Sequence, residues 1–296
     1  MDARIVIVGA GGRLGAALLR DYTPRGATIG LTRQQLDLAD AAQVRDTLGA
    51  LDFDVLINCA AQTNVDRCET HPDEAFQLNA EAPGVLAEIC TRKGAKLVHI
   101  STDYVFDGEQ RAPYTEDDAA EPISVYGESK RRGEQRVLEV SEGHLVVRVS
   151  WVFGPDRPSF VDWAMQQARE KDHVEAIGDK FSTPSYTLDL ADMLSRLMSH
   201  DDACGIFHLT NGGACSWQEY GQYALDCCVA EGIPMKTRTV GAVPLASMEK
   251  FIARRPVHTT LSTAKYTQVT GHAPREWRHA VADYVRTHVL EGTVGS

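Results

Sequence analysis

Short apolar runs alternate with amphipathic stretches along the first half of the chain. The apolar runs are rich in β-branched residues and occupy residues 4–10, 27–33, 54–61, 96–102 and 144–154. Between the third and fourth runs, residues 74–92 carry apolar side chains at helical spacing. Strands that are apolar nearly throughout are typical of a parallel sheet covered by helices on both faces. With right-handed crossovers, the pattern predicts an α/β fold with a Rossmann-type, doubly wound parallel sheet.

The pattern loosens after about residue 155, where a turn signal follows the fifth apolar run. Beyond it the chain mixes helix-like stretches at 160–171, 189–200 and 217–232 with strand candidates at 205–211 and 235–240. We therefore predict a Rossmann domain over residues 1–155 and a smaller C-terminal α/β lobe over residues 156–296. Part of the second segment is free to return to the first domain.

The composition and charge narrow the classes of function. The formal net charge of −11 argues against a general nucleic-acid binder, which needs a basic face. The start of the chain lacks the pattern of a signal peptide, and no apolar run is long enough to span a bilayer. The seven cysteines form no C-x-x-C pair, and the histidines show no metal-binding spacing. We predict a reduced, cytoplasmic chain without a membrane or nucleic-acid partner and without a metal site of its own. Whether a metal ion sits at a subunit contact stays open.

A glycine-rich loop joins the first apolar run to the first helical stretch. Gly9, Gly12 and Gly15 fit the spacing G-x-x-G-x-x-G, with Arg13 and Leu14 between the last two. Residues without a Cβ permit a tight turn and let the backbone approach a pyrophosphate at the start of a helix. The loop therefore predicts dinucleotide binding.

The end of the second apolar run bears on which dinucleotide binds. An NAD site usually has an acidic residue there, but this run ends in Arg33. A guanidinium from Arg33, or from Arg13 in the loop, suits a 2′-phosphate. The sequence favours NADP(H) and leaves NAD(H) as the alternative.

Tyr126 and Lys130 stand four positions apart where a loop turns into a charged helix. Such residues lie on one helix face. The ordinary pKa of a phenol is far above neutral, and a neighbouring ammonium lowers that pKa. Thr102, at the end of the fourth apolar run, supplies a hydroxyl that can orient a substrate oxygen. We predict that Thr102, Tyr126 and Lys130 form a general acid–base centre.

Several segments of the first 155 residues together resemble one family, the extended short-chain dehydrogenase/reductases, and within it the dTDP-4-dehydrorhamnose reductases. The matching segments are GAGGRLG, NCAAQTNVDRCE, LNAEAPGVLA, HISTDYVFDG, residues 113–117, EPISVYGESKRRGE and RVSWVFGP. Weaker similarity continues to the end of the chain. The resemblance implies NADPH-dependent reduction of a nucleotide-linked 4-keto-6-deoxy sugar, most simply dTDP-4-dehydrorhamnose to dTDP-L-rhamnose.

The resemblance also implies roles for individual residues. Tyr126 is the general acid, Lys130 its electrostatic partner and a ligand of the nicotinamide ribose, and Thr102 a hydrogen-bond partner of the substrate oxygen. The cofactor groove is implied to include Asp37 and Leu38 beside the adenine, and Ala60, Ala61, Gln62 and Thr63. The sugar nucleotide is implied to contact Asp103 and Trp151, with Val65 and Tyr104 as neighbours.

Two segments depart from the family pattern. Residues 179–185 replace D-Q-x-G-x-P-T, and residues 255–259 replace R-P-x-x-S. These departures leave the sugar and the base open, so reduction or epimerisation of another nucleotide sugar is one alternative. The other is a regulatory subunit, since the resemblance extends to the β subunit of methionine adenosyltransferase. The oligomeric state stays open, with a homodimer as one option. His99, in a buried strand, is interpreted as a core histidine.

Overall fold

The computed structural model describes residues 3–289. Its strands are β1 (Ile5–Val8), β2 (Thr28–Leu31), β3 (Val55–Asn58), β4 (Lys96–Thr102), β5 (Leu145–Val149), β6 (Val152–Phe153), β7 (Val174–Ile177), β8 (Phe181–Ser182), β9 (Ser185–Tyr186), β10 (Gly205–His208), β11 (Cys215–Ser216) and β12 (Val240–Val243). Its α-helices are α1 (Arg13–Tyr22), α2 (Ala41–Ala50), α3 (Val65–Thr70), α4 (Pro72–Phe76), α5 (Ala82–Lys93), α6 (Val125–Val140), α7 (Phe160–Glu170), α8 (Thr187–Met198), α9 (Trp217–Ala230), α10 (Ala264–Thr270) and α11 (Trp277–Tyr284). Two π-helical segments cover Gln77–Glu81 and Val285–Val289, and short 3-10 turns cover Thr23–Arg25, Asp103–Val105 and Leu245–Ser247.

Six parallel strands form the central sheet, in the order β10-β5-β4-β3-β1-β2. Side chains of β1 enter two cores on opposite faces of the sheet, with Ile5 and Ile7 on one side and Val6 and Val8 on the other. A strand buried on both faces explains why the sequence shows continuous apolar runs. The predicted Rossmann-type sheet is confirmed. The strand order reverses between β1 and β3, and ligands of such sheets bind at the carboxyl ends of the strands near this point.

The chain beyond residue 155 forms a core of its own, separate from the two cores on the faces of the sheet, and also returns to the sheet. Helices α7, α9 and α11 supply most of this C-terminal core, which includes Val161, Leu225 and Trp277. Strand β10 pairs with β5 as the sixth strand of the central sheet. Helix α8 packs Leu190 and Leu194 into the core beside α1. The return of part of the chain is therefore observed, while the division at residue 155 stays a prediction.

Two predicted strands differ from the structure. The run 144–154 is split into β5 and β6 because Trp151 has a φ of 40°, in the left-handed region that turns the chain. Segment 235–240 becomes a strand only at Val240. The backbone N–H groups of Lys236 and Thr237 instead donate to the carbonyl of Ala168 near the end of α7. This contact uses the groups that a longer strand would need for pairing.

Candidate active site

A cleft of about 880 Å³ opens at the carboxyl ends of β1, β3, β4 and β5. Most of the predicted site residues line it: Gly9, Gly12, Arg13, Leu14, Arg33, Asp37, Leu38, Ala60, Ala61, Gln62, Thr63, Val65, Thr102, Asp103, Tyr104, Tyr126, Lys130 and Trp151. Gly15 does not line the cleft. A Cβ at Gly15 would collide with the carbonyl of Gly9, so this glycine lets the loop and α1 pack closely.

The glycine loop leaves room and hydrogen-bond donors for an anion. Gly9 has a φ of +82°, and a Cβ there would lie 2.7 Å from the backbone nitrogen of Ala60. Gly12 is the N-cap of α1 and supplies no side-chain cap. The first N–H groups of α1 therefore remain available to a ligand, and the helix dipole favours a negative charge at this end. These features fit the diphosphate of a dinucleotide.

The arginines at the cleft have different neighbours. Arg13 donates to the carbonyls of Val152, Arg157 and Pro158, so its guanidinium holds a loop of the C-terminal segment instead of facing the adenine end. Arg33 is exposed in the cleft wall, and no hydrogen bond or ion pair to another described residue occupies it. Of the two arginines predicted for a 2′-phosphate, Arg33 is the one left free to bind it.

The loop after β3 is held by the π-helical segment between α4 and α5. Asn79, buried in that segment, accepts a hydrogen bond from the backbone N–H of Gln62 at 2.8 Å and donates to the Gln62 carbonyl at 3.0 Å. Its amide also donates to the hydroxyl of Ser129 at 3.0 Å, on α6. Asn79 thus fixes the groove wall formed by residues 60–63 relative to the helix that carries Tyr126.

Tyr126 lies at the start of α6, whose N-cap Ser124 accepts a hydrogen bond from the backbone N–H of Gly127. Burial raises the pKa of Tyr126, and the hydroxyl of Thr102 at the end of β4 acts in the opposite direction. The phenol is therefore protonated at neutral pH. The ring packs edge-on against Tyr104, with centroids 5.6 Å apart. The structure brings Thr102 and Tyr126 together.

Lys130 is buried one helical turn below Tyr126. Its Nζ lies 2.7 Å from the carbonyl of Ile100 and 3.2 Å from Nε2 of His99. Burial lowers the pKa of Lys130 to about 8. The amine is directed at β4, and burial is the largest influence on the pKa of Tyr126. The expectation that Lys130 lowers the pKa of Tyr126 stays a prediction.

Asp103 occupies a polar cluster between the two parts of the chain. The residue is 2% exposed, and its carboxylate accepts hydrogen bonds from four hydroxyl groups: those of Thr102 at 3.1 Å, Ser150 at 3.0 Å, Ser182 at 3.1 Å and Thr259 at 2.6 Å. Four donors compensate the burial of a charge. Ser182 and Thr259 belong to the two segments that depart from the family pattern. Residues at the departing positions therefore supply two of the hydrogen bonds that hold the Asp103 carboxylate.

Lys180 is a residue of the site region that the sequence did not single out. It is fully buried, and its Nζ lies 5.1 Å from the ring centroid of Tyr104 and 5.5 Å from that of Trp151. Within residues 3–289, neither this Nζ nor Nε1 of Trp151 has a hydrogen-bond partner. Burial lowers the pKa of Lys180 to about 8, against the opposing charge of Asp103. The only signal in the sequence was the lysine in the departing segment 179–185.

Neither a metal-binding cluster nor a membrane span is found within residues 3–289. No set of three or more His, Cys, Asp and Glu side chains in this range is grouped to hold a metal ion. None of the helices in the same range has both the length and the apolar character needed to cross a membrane.

Known proteins similar to this chain share its full length. The family model for the RmlD substrate binding domain matches residues 3–289. The spore coat polysaccharide biosynthesis protein SpsK of Bacillus subtilis is 35% identical over 286 residues, covering 96% of this chain and 97% of that protein. A dTDP-4-dehydrorhamnose reductase of Mycolicibacterium smegmatis is 36% identical over 298 residues, covering 100% of this chain and 89% of that protein.

The fold agrees with that of a solved relative. The crystal structure of a dTDP-4-dehydrorhamnose reductase from Bacillus anthracis in complex with NADP aligns with a TM-score of 0.90 and 30% identity, covering 97% of this chain and 99% of that one. Sequence and structure therefore match over nearly the whole length of both proteins. On these grounds the chain belongs to the RmlD substrate binding domain family.

Proposed function

We propose that this chain is an NADPH-dependent reductase of a nucleotide-linked 4-keto-6-deoxy sugar, with dTDP-4-dehydrorhamnose as substrate and dTDP-L-rhamnose as product. The observation that carries the proposal is the single cleft that holds both the glycine loop and the set Thr102, Tyr126 and Lys130. Proteins named dTDP-4-dehydrorhamnose reductase are similar to this chain over nearly its full length, which agrees with the proposal. The cytoplasmic location and the homodimer stay predictions.

The chemistry of reduction assigns a task to each of these side chains. When bound, the reduced nicotinamide supplies a hydride to the keto carbon. Tyr126 donates its hydroxyl proton to the keto oxygen as that oxygen gains negative charge. An alkoxide is a much stronger base than a phenolate, so the transfer is downhill even though burial raises the pKa of Tyr126. Thr102 orients the same oxygen by turning toward it the hydroxyl hydrogen that it donates to Asp103 in the structure.

In this scheme, Lys130 assists Tyr126 through its positive charge. Burial lowers the pKa of Lys130 to about 8, so the ammonium and the neutral amine are both accessible near neutral pH, and this scheme uses the ammonium. A positive charge one turn below Tyr126 stabilises the phenolate that remains after proton transfer. The sugar is proposed to lie against Asp103 and Trp151, which line the cleft next to Thr102. Trp151 lines the cleft and has a left-handed backbone, and strain of this kind is often kept for function.

The test of the proposal is turnover of a defined sugar nucleotide. Purified protein, NADPH and dTDP-4-dehydrorhamnose should give loss of the reduced-nicotinamide absorbance and equimolar formation of dTDP-L-rhamnose. A parallel reaction with the uridine-diphosphate form of the same sugar tests the base. Faster turnover of another sugar nucleotide would move the assignment to a different reductase, and absence of all turnover would favour the regulatory-subunit alternative.

Replacing Arg33 should weaken the binding of NADPH and leave the binding of NADH nearly unchanged. Arg33→Ser deletes an exposed cation of the cleft wall, and loss of a charge-assisted hydrogen bond corresponds to roughly tenfold or more in affinity. The Kd of NADPH, measured by fluorescence titration, is expected to rise by that factor while the Kd of NADH stays nearly constant. Arg33→Lys, which keeps the charge and loses the planar fork, should lie between. Equal weakening of both cofactors would show that Arg33 does not read the 2′-phosphate.

A further inference from the structure

Three buried side chains contact one another in series through their nitrogen atoms, ending at Lys130 of the cleft. Nδ2 of Asn58 lies 3.1 Å from Nδ1 of His99, and Nε2 of His99 lies 3.2 Å from Nζ of Lys130. Asn58 and His99 are fully buried, and Lys130 is 2% exposed. Asn58 and His99 are direct partners in the pairing of β3 with β4, so both side chains emerge from the same face of the sheet.

The orientation of the Asn58 amide fixes the tautomer of the imidazole. Oδ1 of Asn58 accepts a hydrogen bond from the backbone N–H of Ala60 at 3.1 Å, so Nδ2 is the atom that faces His99. An amide nitrogen can only donate, and Nδ1 of His99 must therefore accept. Burial and the nearby Lys130 hold the pKa of His99 well below its usual value, so the ring is neutral. A neutral ring that accepts at Nδ1 carries its hydrogen on Nε2.

This hydrogen points at Lys130. An ammonium has three hydrogens and no lone pair, so it cannot accept from Nε2. A neutral amine can accept from His99 and still donate to the carbonyl of Ile100 at 2.7 Å. The opposite influence comes from the carboxylate of Glu134 on the same helix, which favours the ammonium. Cys59 after β3 stays a neutral thiol, because burial raises its pKa to about 12.

We propose that Asn58 and His99 are positioning residues that set the charge of Lys130, by donating a hydrogen bond to its lone pair and thereby stabilising the neutral amine. The proton that Lys130 releases passes to solvent or to an acceptor in the cleft, and Nζ keeps its lone pair. When the ammonium form is used to stabilise the phenolate of Tyr126, it therefore gives up its proton more readily than the ammonium of an ordinary lysine does. This functional consequence rests on the proposed reductase activity, whereas the charge of Lys130 in the cofactor-free protein does not.

The tautomer can be measured directly in the cofactor-free wild-type protein. Nitrogen NMR of the ¹⁵N-histidine-labelled protein distinguishes ring nitrogens that carry hydrogen from those that do not, and His99→Phe identifies the signals. The expected result is a protonated Nε2 and a bare Nδ1 at neutral pH. A hydrogen on Nδ1 would overturn the proposal, whether or not the protein reduces any sugar.

The effect on Lys130 is tested by reversing the hydrogen bond at its far end. In Asn58→Asp, a carboxylate can only accept, so His99 should move its hydrogen to Nδ1 and accept from the ammonium at Nε2. Carbon NMR can follow the titration of the eight lysines, and Lys130→Arg assigns the signal of Lys130. The titration midpoint of Lys130 should rise by at least one pH unit in Asn58→Asp, a tenfold change in proton affinity.

A double-mutant cycle separates this effect from the added charge. Asn58→Asp in a His99→Phe background adds the same carboxylate without the imidazole, and the shift of Lys130 should be clearly smaller there. Equal shifts in both backgrounds would show that charge alone acts and would reject the role of His99. If the Asn58→Asp protein does not fold, the wild-type tautomer decides. A protein that passes these tests but turns over no substrate refutes only the proposed reaction.

Discussion

Replacing Tyr126 with phenylalanine is expected to lower kcat with dTDP-4-dehydrorhamnose by roughly 10²–10⁴-fold, the usual contribution of a positioned proton donor. The substitution removes one oxygen atom and keeps the ring that packs against Tyr104. The Kd of NADPH should therefore remain close to that of the wild type. Without the phenol, the oxygen that receives the hydride's electron pair loses its proposed proton donor. Stopped-flow measurement of NADPH oxidation and a fluorescence titration of NADPH give the two quantities.

Tyr114→Phe is the matched control for this substitution. Tyr114 is also largely buried and also loses a hydrogen bond, the one its hydroxyl donates to Asp107, but it does not line the cleft. Its kcat should stay near the wild-type value. Near-normal turnover by Tyr126→Phe would remove this tyrosine from the mechanism and leave the cleft as a nucleotide site of another purpose.

The sheet could be predicted because its determinants are local. The runs that form β1, β3, β4 and β5 are apolar over a few consecutive residues, and burial on both faces is the physical cause of that pattern. Strand β2, at the edge of the sheet, is only partly buried. The break at Trp151 could not be read in this way, since a left-handed tryptophan depends on tertiary contacts that hold it there. Segment 235–240 looked like a strand, yet its N–H groups bind the carbonyl of Ala168, a residue far away in sequence.

In the candidate site as well, the sequence displays the local motifs but not the contacts between distant segments. The glycine loop and the pair Tyr126 and Lys130 are patterns of spacing within one loop or one helix, so the sequence displays them. The contact of His99 with Lys130 joins a strand to a helix and appears only after folding. His99 looked like an ordinary core histidine for this reason. Lys180 likewise gave no sign of burial, because its neighbours Tyr104 and Trp151 come from other segments.

Glu134→Gln is expected to lower the free energy of unfolding by about 3–5 kcal/mol, the usual cost of leaving a buried charge unpaired. Glu134 on α6 receives two hydrogen bonds from Arg148 on β5, at 2.9 and 2.7 Å, and the two side chains are 4% and 3% exposed. The pair ties the helix that carries Tyr126 and Lys130 to the sheet that carries Thr102. Urea unfolding followed by circular dichroism measures the change.

The same helix supplies a control that separates burial from ion pairing. Arg136, two residues further along α6, pairs with Glu81 at 2.7 Å, but these side chains are 37% and 44% exposed. Glu81→Gln should cost less than about 1 kcal/mol, as is usual for exposed pairs. If the two substitutions have equal effects, the buried pair does not anchor α6. If only Glu134→Gln lowers the free energy of unfolding strongly, the buried ion pair holds α6 against the sheet. An intermediate loss of stability in Glu134→Asp would show that the length of the Glu134 side chain also matters.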